Sequence, residues 1–386
     1  MIQREIQTVI EQKLFKKKAI VLTGPRQVGK TTLLKQIAHR AETPALVLNC
    51  DEPEVRSLLV DANVQKLQSI IGQYKLLMID EAQRVKNIGL SLKLIIDTFS
   101  DVQLIVTGSS SLDLANEISE PLTGRKFEYH LYPFSAKELV LAQNMLEEQQ
   151  ALEKRLIYGS YPDVINFPGG EKECLLNLSG SYLYKDILTL GGVRKPAQLE
   201  NLLVALALQV GCEVSYHELA QTIHADSNTV ERYIHLLEQC FIIFRLSAFS
   251  RNLRNEIKKG KKIYFYDNGV RNAILQNFSP LNLRQDVGAL WENYFISERL
   301  KANHYRRHFT KSFFWRTFQQ QEIDLIEDSD GLLTAFEIKW NRRKQSEVPQ
   351  SFAQAYPSHR FHVVNRESYL GFLTEEPSFK NQNLVQ

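Results

Sequence analysis

The stretch AIVLTGPRQVGKTTLLKQIAHR, residues 19–40, restricts the fold more than any other part of the chain. An apolar run rich in Val, Ile and Leu ends at Gly24, and a helix-forming run begins just after Gly29. Between them lies the pattern GxxxxGK[ST], from Gly24 to Thr31. Glycines at both ends of such a loop permit backbone angles that aim successive N–H groups at one point, and the helix N-terminus adds positive potential there. The arrangement needs a buried strand before the loop and a helix after it, so it predicts an α/β sheet with a phosphate at its edge. Lys30 would reach the β- and γ-phosphates and Thr31 would ligate Mg2+. Gly24, Pro25, Arg26, Gln27, Val28, Gly29 and Thr32 complete the cradle, with Arg26 as a second cation near the phosphates.

Four more short apolar runs follow: ALVLNC (45–50), LLMID (76–80), QLIVTG (103–108) and FEYHLYPF (127–134). Amphipathic stretches separate the first four runs, and strands alternating with helices imply a parallel sheet covered on both faces. LLMIDE ends in two acids. Asp80 is placed to hold a Mg2+ shell, and Glu81 to orient or deprotonate an attacking water. QLIVTGSSS ends in Thr107, Ser109 and Ser110, polar groups that either sense a γ-phosphate or cap a helix.

A chain of 386 residues is longer than the roughly 100–200 residues of one domain, so two to four domains are expected. The net charge of +3 is too small to name a partner; only local clusters of charge bear on that. Cys50, Cys174, Cys212 and Cys240 form no CxxC pair and lie in apolar runs, which predicts buried free thiols in a reducing compartment. The N-terminal MIQREIQTVIEQKLFKKK lacks the apolar core and cleavage site of a signal peptide. No apolar run reaches the roughly 18 residues of a membrane span. A cytoplasmic protein without a membrane partner is the expectation.

"GPRQVGKTTL", "LLMIDEAQRV", "LIVTGSS", "LTGR", "YPFSAKEL" and "GSYPDVI", in that order, resemble a family of prokaryotic AAA-type ATPases that carry a C-terminal domain of unknown function with a nuclease-like fold. The resemblance spans nearly the whole chain. It implies ATP and Mg2+ as cofactors, ATP hydrolysis and a homo-oligomer. In AAA-type ATPases an arginine just before the fifth strand reaches into a neighbouring subunit's nucleotide, and Arg125 stands there; a local surface salt bridge is the other reading.

Residues 197–270 read as a winged helix. SYHELAQTIHADSNTVERYIHLLEQCFIIFRL gives two helices joined at HADS, then apolar strands flanking a basic link. Ser215 with Glu218, and Asn228 with Glu231, are capping-box patterns. Thr229, Arg232 and Tyr233 would face a DNA groove, and Arg251, Arg254, Lys258, Lys259, Lys261 and Lys262 would face phosphates. Packing on the ATPase without DNA is the alternative, and Glu231 and Glu238 favour it.

The last segment, residues 280–386, resembles the PD-(D/E)xK nuclease pattern. ALWENYFISERL reads as an amphipathic helix carrying Glu292; Asp324 lies in EIDLI, and Glu337 and Lys339 share one face of TAFEIKW. Glu292, Asp324 and Glu337 would ligate Mg2+, with Asp324, Glu337 and Lys339 as catalytic groups. Ile323 stands where the pattern usually has Pro. Lys301, Arg306, Arg307 and Lys311, interleaved with aromatic residues, fit nucleic-acid contact.

The expected architecture is therefore α/β. A P-loop AAA-type parallel sheet occupies residues 1–140, a helical lid or linker 141–196, a winged-helix unit 197–270 and a small nuclease-like α/β domain 280–386. Its expected function is ATP binding and hydrolysis by a protein that acts on or is bound to nucleic acid, with DNA as the candidate, through its winged-helix and nuclease-like domains. The alternative is a nucleotide-dependent switch or protein-interaction ATPase without nuclease activity.

Overall fold

Along Ala19–Thr23 every side chain is apolar or small and every one is buried, so neither face can meet water. This computed structural model describes residues 2–109, 121–183, 193, 195–250, 260–341 and 346–375. The described chain divides into two compact units. One is built on the residues up to Pro133 with Gln239–Phe241, the other on the remainder.

The first unit holds a five-stranded sheet of order β2-β3-β4-β1-β5. Its strands are β1 (Ala19–Thr23), β2 (Ala45–Asn49), β3 (Leu76–Asp80), β4 (Gln103–Gly108) and β5 (Lys126–His130). All pairings are parallel. The central β1, β3 and β4 are buried along their whole length, while the edges β2 and β5 are partly exposed. Its helices are α1 (Glu5–Glu11), α2 (Lys30–Arg40), α3 (Pro53–Leu59), α4 (Val64–Ile71) and α5 (Ile88–Thr98). Because β4 lies between β1 and β3, the C-terminal ends of three adjacent strands meet at one edge, where ligands of open α/β sheets bind.

The second unit begins with short helices α6 (Ala136–Ala142), α7 (Met145–Gln150), α8 (Leu152–Tyr158), α9 (Pro162–Asn166) and α10 (Glu171–Asn177). Ser135 and Glu138 form a complete capping box on α6. Next come α11 (Pro196–Leu208), β6 (Glu213–Val214), α12 (Tyr216–Thr222), α13 (Ser227–Gln239), β7 (Ile243–Ala248) and β8 (Lys261–Phe265). The chain continues through α14 (Asn268–Ile274), α15 (Val287–Tyr305), β9 (Lys311–Arg316), β10 (Glu322–Ser329), β11 (Leu332–Ile338), α16 (Gln350–Ala355), β12 (His359–Val364) and α17 (Tyr369–Thr374).

One seven-stranded sheet, β12-β11-β10-β9-β7-β8-β6, unites the segments expected as separate 197–270 and 280–386 domains. The join is the parallel pair β7–β9, with Ser247 opposite Phe313 and Ala248 opposite Phe314. An unpaired β7 end would leave backbone donors and acceptors open, and β9 pairs with it at Ser247 and Ala248. Phe249, just past β7, packs with Trp315, Ile323, Ile326 and Phe352, so the apolar core also crosses the join.

Several expectations are corrected here. Helix α15 is not amphipathic. It is buried nearly all round, and its charges are paired internally: Lys301 with Glu298, and Arg299 with Glu327. Lys301 therefore faces no nucleic acid, and Arg306 is held by the carbonyls of Leu373 and Glu375. Helix α12 is capped by Ser215 as expected, but α13 is capped by Asp226, whose carboxylate accepts from the Thr229 N–H and hydroxyl, not by Asn228. Tyr233 is 1% exposed and belongs to the core, because the apolar face of α13 is wider than Val230, Ile234 and Leu237 alone suggest. Cys50 and Cys240 are buried, but Cys174 is half-buried and Cys212 is exposed in the turn after α11.

Candidate functional site

The loop between β1 and α2 is held from three sides. Gly24 has φ +156°, and a Cβ there would lie 2.1 Å from the Leu131 carbonyl oxygen, so only glycine lets the loop pass the end of β5. Gly29 has φ +93° and Gln27 φ 61°, both left-handed, and Gly29 caps α2. On the far side, the Arg4 guanidinium donates to the Val28 carbonyl at 2.7 Å and to the Tyr132 carbonyl at 2.5 Å. Arg4 is 4% exposed. It fastens the loop to the segment after β5, a role that no sequence pattern signalled.

Lys30 is buried, and its ammonium donates to the carbonyls of Gly24 (3.0 Å) and Pro25 (2.9 Å). Thr31, one residue on, donates from Oγ1 to Asp80 Oδ2 at 2.6 Å. Thr107 at the end of β4 donates to the other oxygen of Asp80 and accepts from the Glu81 N–H at 3.2 Å. The loop and the tips of β3 and β4 are thus tied through one buried carboxylate. Hydroxyl and carboxylate oxygens converge as a hard cation requires, so Thr31 and Asp80 fit Mg2+.

Glu81 sits in a left-handed conformation (φ 51°) that swings its side chain out of the strand direction. Gln83 donates to Glu81 Oε2 at 2.5 Å and to Ser109 Oγ at 2.9 Å, while its own amide oxygen is buried with no hydrogen-bond partner among the described residues. Gln83 is the second functional side chain that sequence reading missed; its position two residues after Glu81 was the available signal. Ser110 lies outside the described residues. Arg125 pairs with Asp97 at 2.9 Å, both about half exposed. Burial, reinforced by the Asp80 charge, pushes the nearby Cys50 thiol up to about 12, so it stays protonated.

In the second unit, Leu325 faces Phe336 across the β10–β11 hairpin, which sets Asp324 beside Glu337. The turn is tight, with Asp330 at φ 51° and Gly331 at φ 92°. A register shift against β9 between Ile323 and Ile326 re-aims the strand at Asp324. Burial and the charges of Glu292 and Glu337 push the Asp324 carboxyl up to about 8. Asp324 Oδ2 accepts from the Ile338 N–H at 2.7 Å, and Lys339 pairs with Glu337 at 2.5 Å. Glu292 accepts from the Tyr264 hydroxyl at 2.6 Å. Lys262, expected to face DNA phosphates, is instead 3% exposed and pairs with Glu292 (3.3 Å) and Glu322. The expected Mg2+ ligands Glu292, Asp324 and Glu337 are therefore neighbours, but each is bound to a protein donor. Among the described residues no group of three or more His, Cys, Asp or Glu is arranged to hold a metal ion. On α13, Arg232 is exposed and Thr229 half-buried. Arg251, Arg254, Lys258 and Lys259 lie outside the described residues.

Residues 16–140 match the family model of the AAA domain. The first unit is an AAA-type P-loop domain. Residues 149–281 and 287–376 match two domains of unknown function, DUF8612 and DUF4143. An uncharacterised protein of Mycobacterium tuberculosis is 27% identical over 343 residues, covering 87% of this chain and 74% of that one. An uncharacterised protein of Methanocaldococcus jannaschii is 23% identical over 360 residues, covering 87% and 78%. Among solved structures, the Aeropyrum pernix Orc1 protein in complex with DNA aligns with a TM-score of 0.34 and 13% identity, over 72% of this chain and 93% of that one. Among the described residues, no helix is long and apolar enough to cross a membrane.

Proposed function

We propose that this chain binds MgATP at the β1–α2 loop and hydrolyses it. The observation that carries the reading is the Thr31–Asp80 hydrogen bond of 2.6 Å, which joins the phosphate loop to the tip of β3 beside Lys30. Lys30 exchanges its two carbonyl partners for phosphate oxygens, and Gly24 through Thr32 present backbone N–H groups to them. Thr31 and Asp80 would hold Mg2+, which would supply positive charge beside the transferring phosphoryl group. Glu81 takes the proton of the attacking water, and Ser109, at the end of β4, reports on the γ-phosphate. Arg26 adds positive charge at the loop. Arg125 serves a neighbouring copy only if it leaves Asp97.

Lys30→Ala should abolish MgATP binding, measured by titration with a fluorescent nucleotide. Glu81→Gln should bind MgATP normally and lose turnover. Wild-type hydrolysis by Glu81→Gln refutes the assignment of the base.

A second reading concerns nucleic acid. The order α11-β6-α12-α13-β7-β8, with the antiparallel sheet β6-β8-β7, supports the winged-helix reading, and exposed Arg232 on α13 and half-buried Lys261 on β8 favour a DNA contact. Stimulation of ATP turnover by duplex DNA, lost in Arg232→Glu, tests this; turnover indifferent to DNA refutes it. The rival is a nucleotide-dependent switch that engages a protein.

A further inference from the structure

The carboxylate cluster of the second unit has its own cation. We infer that the Lys262 ammonium occupies the place a divalent metal would take among Glu292, Glu322 and Asp324, and that the cluster works without metal. The inference does not depend on the nucleotide reading.

The chemistry of the donors carries it. A hard cation such as Mg2+ needs carboxylate oxygens with lone pairs to spare, at about 2.0–2.1 Å and in octahedral array. Here each carboxylate has at least one oxygen engaged by a protein donor. Glu292 Oε1, on α15, accepts from the Tyr264 hydroxyl at 2.6 Å and lies 3.3 Å from the Lys262 ammonium, both from β8. Glu322, at the start of β10, pairs with the same ammonium and lies 3.9 Å from Arg316. Asp324 Oδ2 accepts from the backbone of β11, and Glu337 is held by Lys339.

The source of the cation matters as much as its position. Lys262 does not belong to the β10–β11 hairpin that supplies Asp324 and Glu337. It is tethered on β8, in the 197–270 segment, and is 3% exposed. Its ammonium is therefore present at the cluster without any loss of translational freedom, whereas a metal ion must be captured from solution. Admitting a divalent ion beside it would bring like charges together where water is excluded, and that repulsion is strong at low dielectric. Expelling Lys262 instead would bury Glu292 and Glu322 with less compensation. Both routes oppose metal entry.

The cluster also has a structural consequence. Lys262 links β8 to α15 through Glu292 and to β10 through Glu322. It thereby clamps the β6-β8-β7 part of the sheet to the β9–β12 part, alongside the β7–β9 pairing. The pattern that resembles a nuclease then serves cohesion of the sheet, and metal-dependent cleavage is not among its activities.

The test uses the full chain without nucleotide and Mn2+ alone, with free Mn2+ read by electron paramagnetic resonance. The expected result is that wild type and Asp324→Asn bind the same amount of Mn2+, so no ion depends on Asp324. The double variant Lys262→Met/Glu322→Gln, which removes the ammonium and one of its partners together, should gain one ion per chain, and adding Asp324→Asn should remove it. One Mn2+ bound by wild type and lost in Asp324→Asn overturns the inference. So does a folded double variant that gains none. Should the double variant fail to fold, as read by circular dichroism, the comparison of wild type with Asp324→Asn needs no change at Lys262 and decides alone.

Discussion

Replacing Arg4 by Met tests whether a residue outside every recognisable motif sets the nucleotide loop. The methionine keeps the apolar stem but removes two donors, so the carbonyls of Val28 and Tyr132 lose their hydrogen bonds at 2.7 Å and 2.5 Å. Both residues are buried, at 0% and 3% exposure, so water does not replace the lost donor. Leaving one buried acceptor unsatisfied costs about 1–3 kcal/mol. Two acceptors sharing one guanidinium relax together, so the sum is taken as about 2–4 kcal/mol. A domain with about 5–15 kcal/mol of stability survives that loss. Part of the cost should appear as a loop no longer preset for phosphate. If half does, nucleotide binding weakens by roughly five- to thirtyfold, since about 1.4 kcal/mol is tenfold. The assay is paired: a urea denaturation midpoint for stability and a fluorescent-nucleotide titration for Kd. Arg4→Lys should fall between, because a single ammonium cannot span both carbonyls as the planar fork does. An Arg4→Met protein with the wild-type midpoint and the wild-type Kd refutes the reasoning. A lowered midpoint with unchanged Kd would show that Arg4 stabilises the unit without presetting the loop.

Gln83→Leu should lower kcat roughly tenfold while nucleotide Kd stays put, because one hydrogen bond worth about 1–1.5 kcal/mol positions Glu81 and none of its contacts reach the phosphate loop; a shift in Kd with unchanged kcat contradicts this. The Asp324 carboxyl, raised to about 8 by burial and two neighbouring carboxylates, holds its proton in the folded state over a range where the unfolded chain has released it. Stability from this group is therefore complete below the unfolded value near 4 and is lost as pH rises toward 8. Asp324→Asn should flatten that decline in urea midpoints measured across pH, and an unchanged slope would contradict the assignment. Arg155 grips Glu148 with two hydrogen bonds of 2.9 Å and 2.7 Å where the carboxylate is 0% exposed. Arg155→Met should cost about 3–5 kcal/mol, and Arg155→Met/Glu148→Leu should recover most of it; equal midpoints for the single and double variants would show that the charge left behind is not the cause.

The parallel sheet was legible in the sequence because its signal is local. AIVLTG, LLMID and QLIVTG are continuous apolar runs, and strands buried on both faces can be little else. The phosphate loop was legible for the same reason, since GPRQVGKT carries the turn glycines, the lysine and the hydroxyl within eight positions, between a strand and a helix. Asp80 and Glu81 followed from their place at a strand tip. A hairpin between EIDLI and TAFEIKW was also readable, from the short DSDG turn that joins them, while the register that sets Asp324 beside Glu337 was not.

What the sequence left undecided lies in contacts between distant segments. Nothing near Arg4 says that it will meet the carbonyls of Val28 and Tyr132, 24 and 128 residues away. Lys262 reads as one more cation in a basic stretch; only the crossing of β8, α15 and β10 shows that it is buried among carboxylates. Tyr233 and Lys301 likewise look exposed by residue type and are buried by packing. The β7–β9 pairing merges two segments that sequence reading separates, because backbone hydrogen bonding between strands leaves little mark on side-chain composition. Sequence alone determined which residues form the phosphate loop and its sheet. The tertiary structure decided which charges are spent on one another, since a buried ion pair is chosen by proximity in space and not by position along the chain.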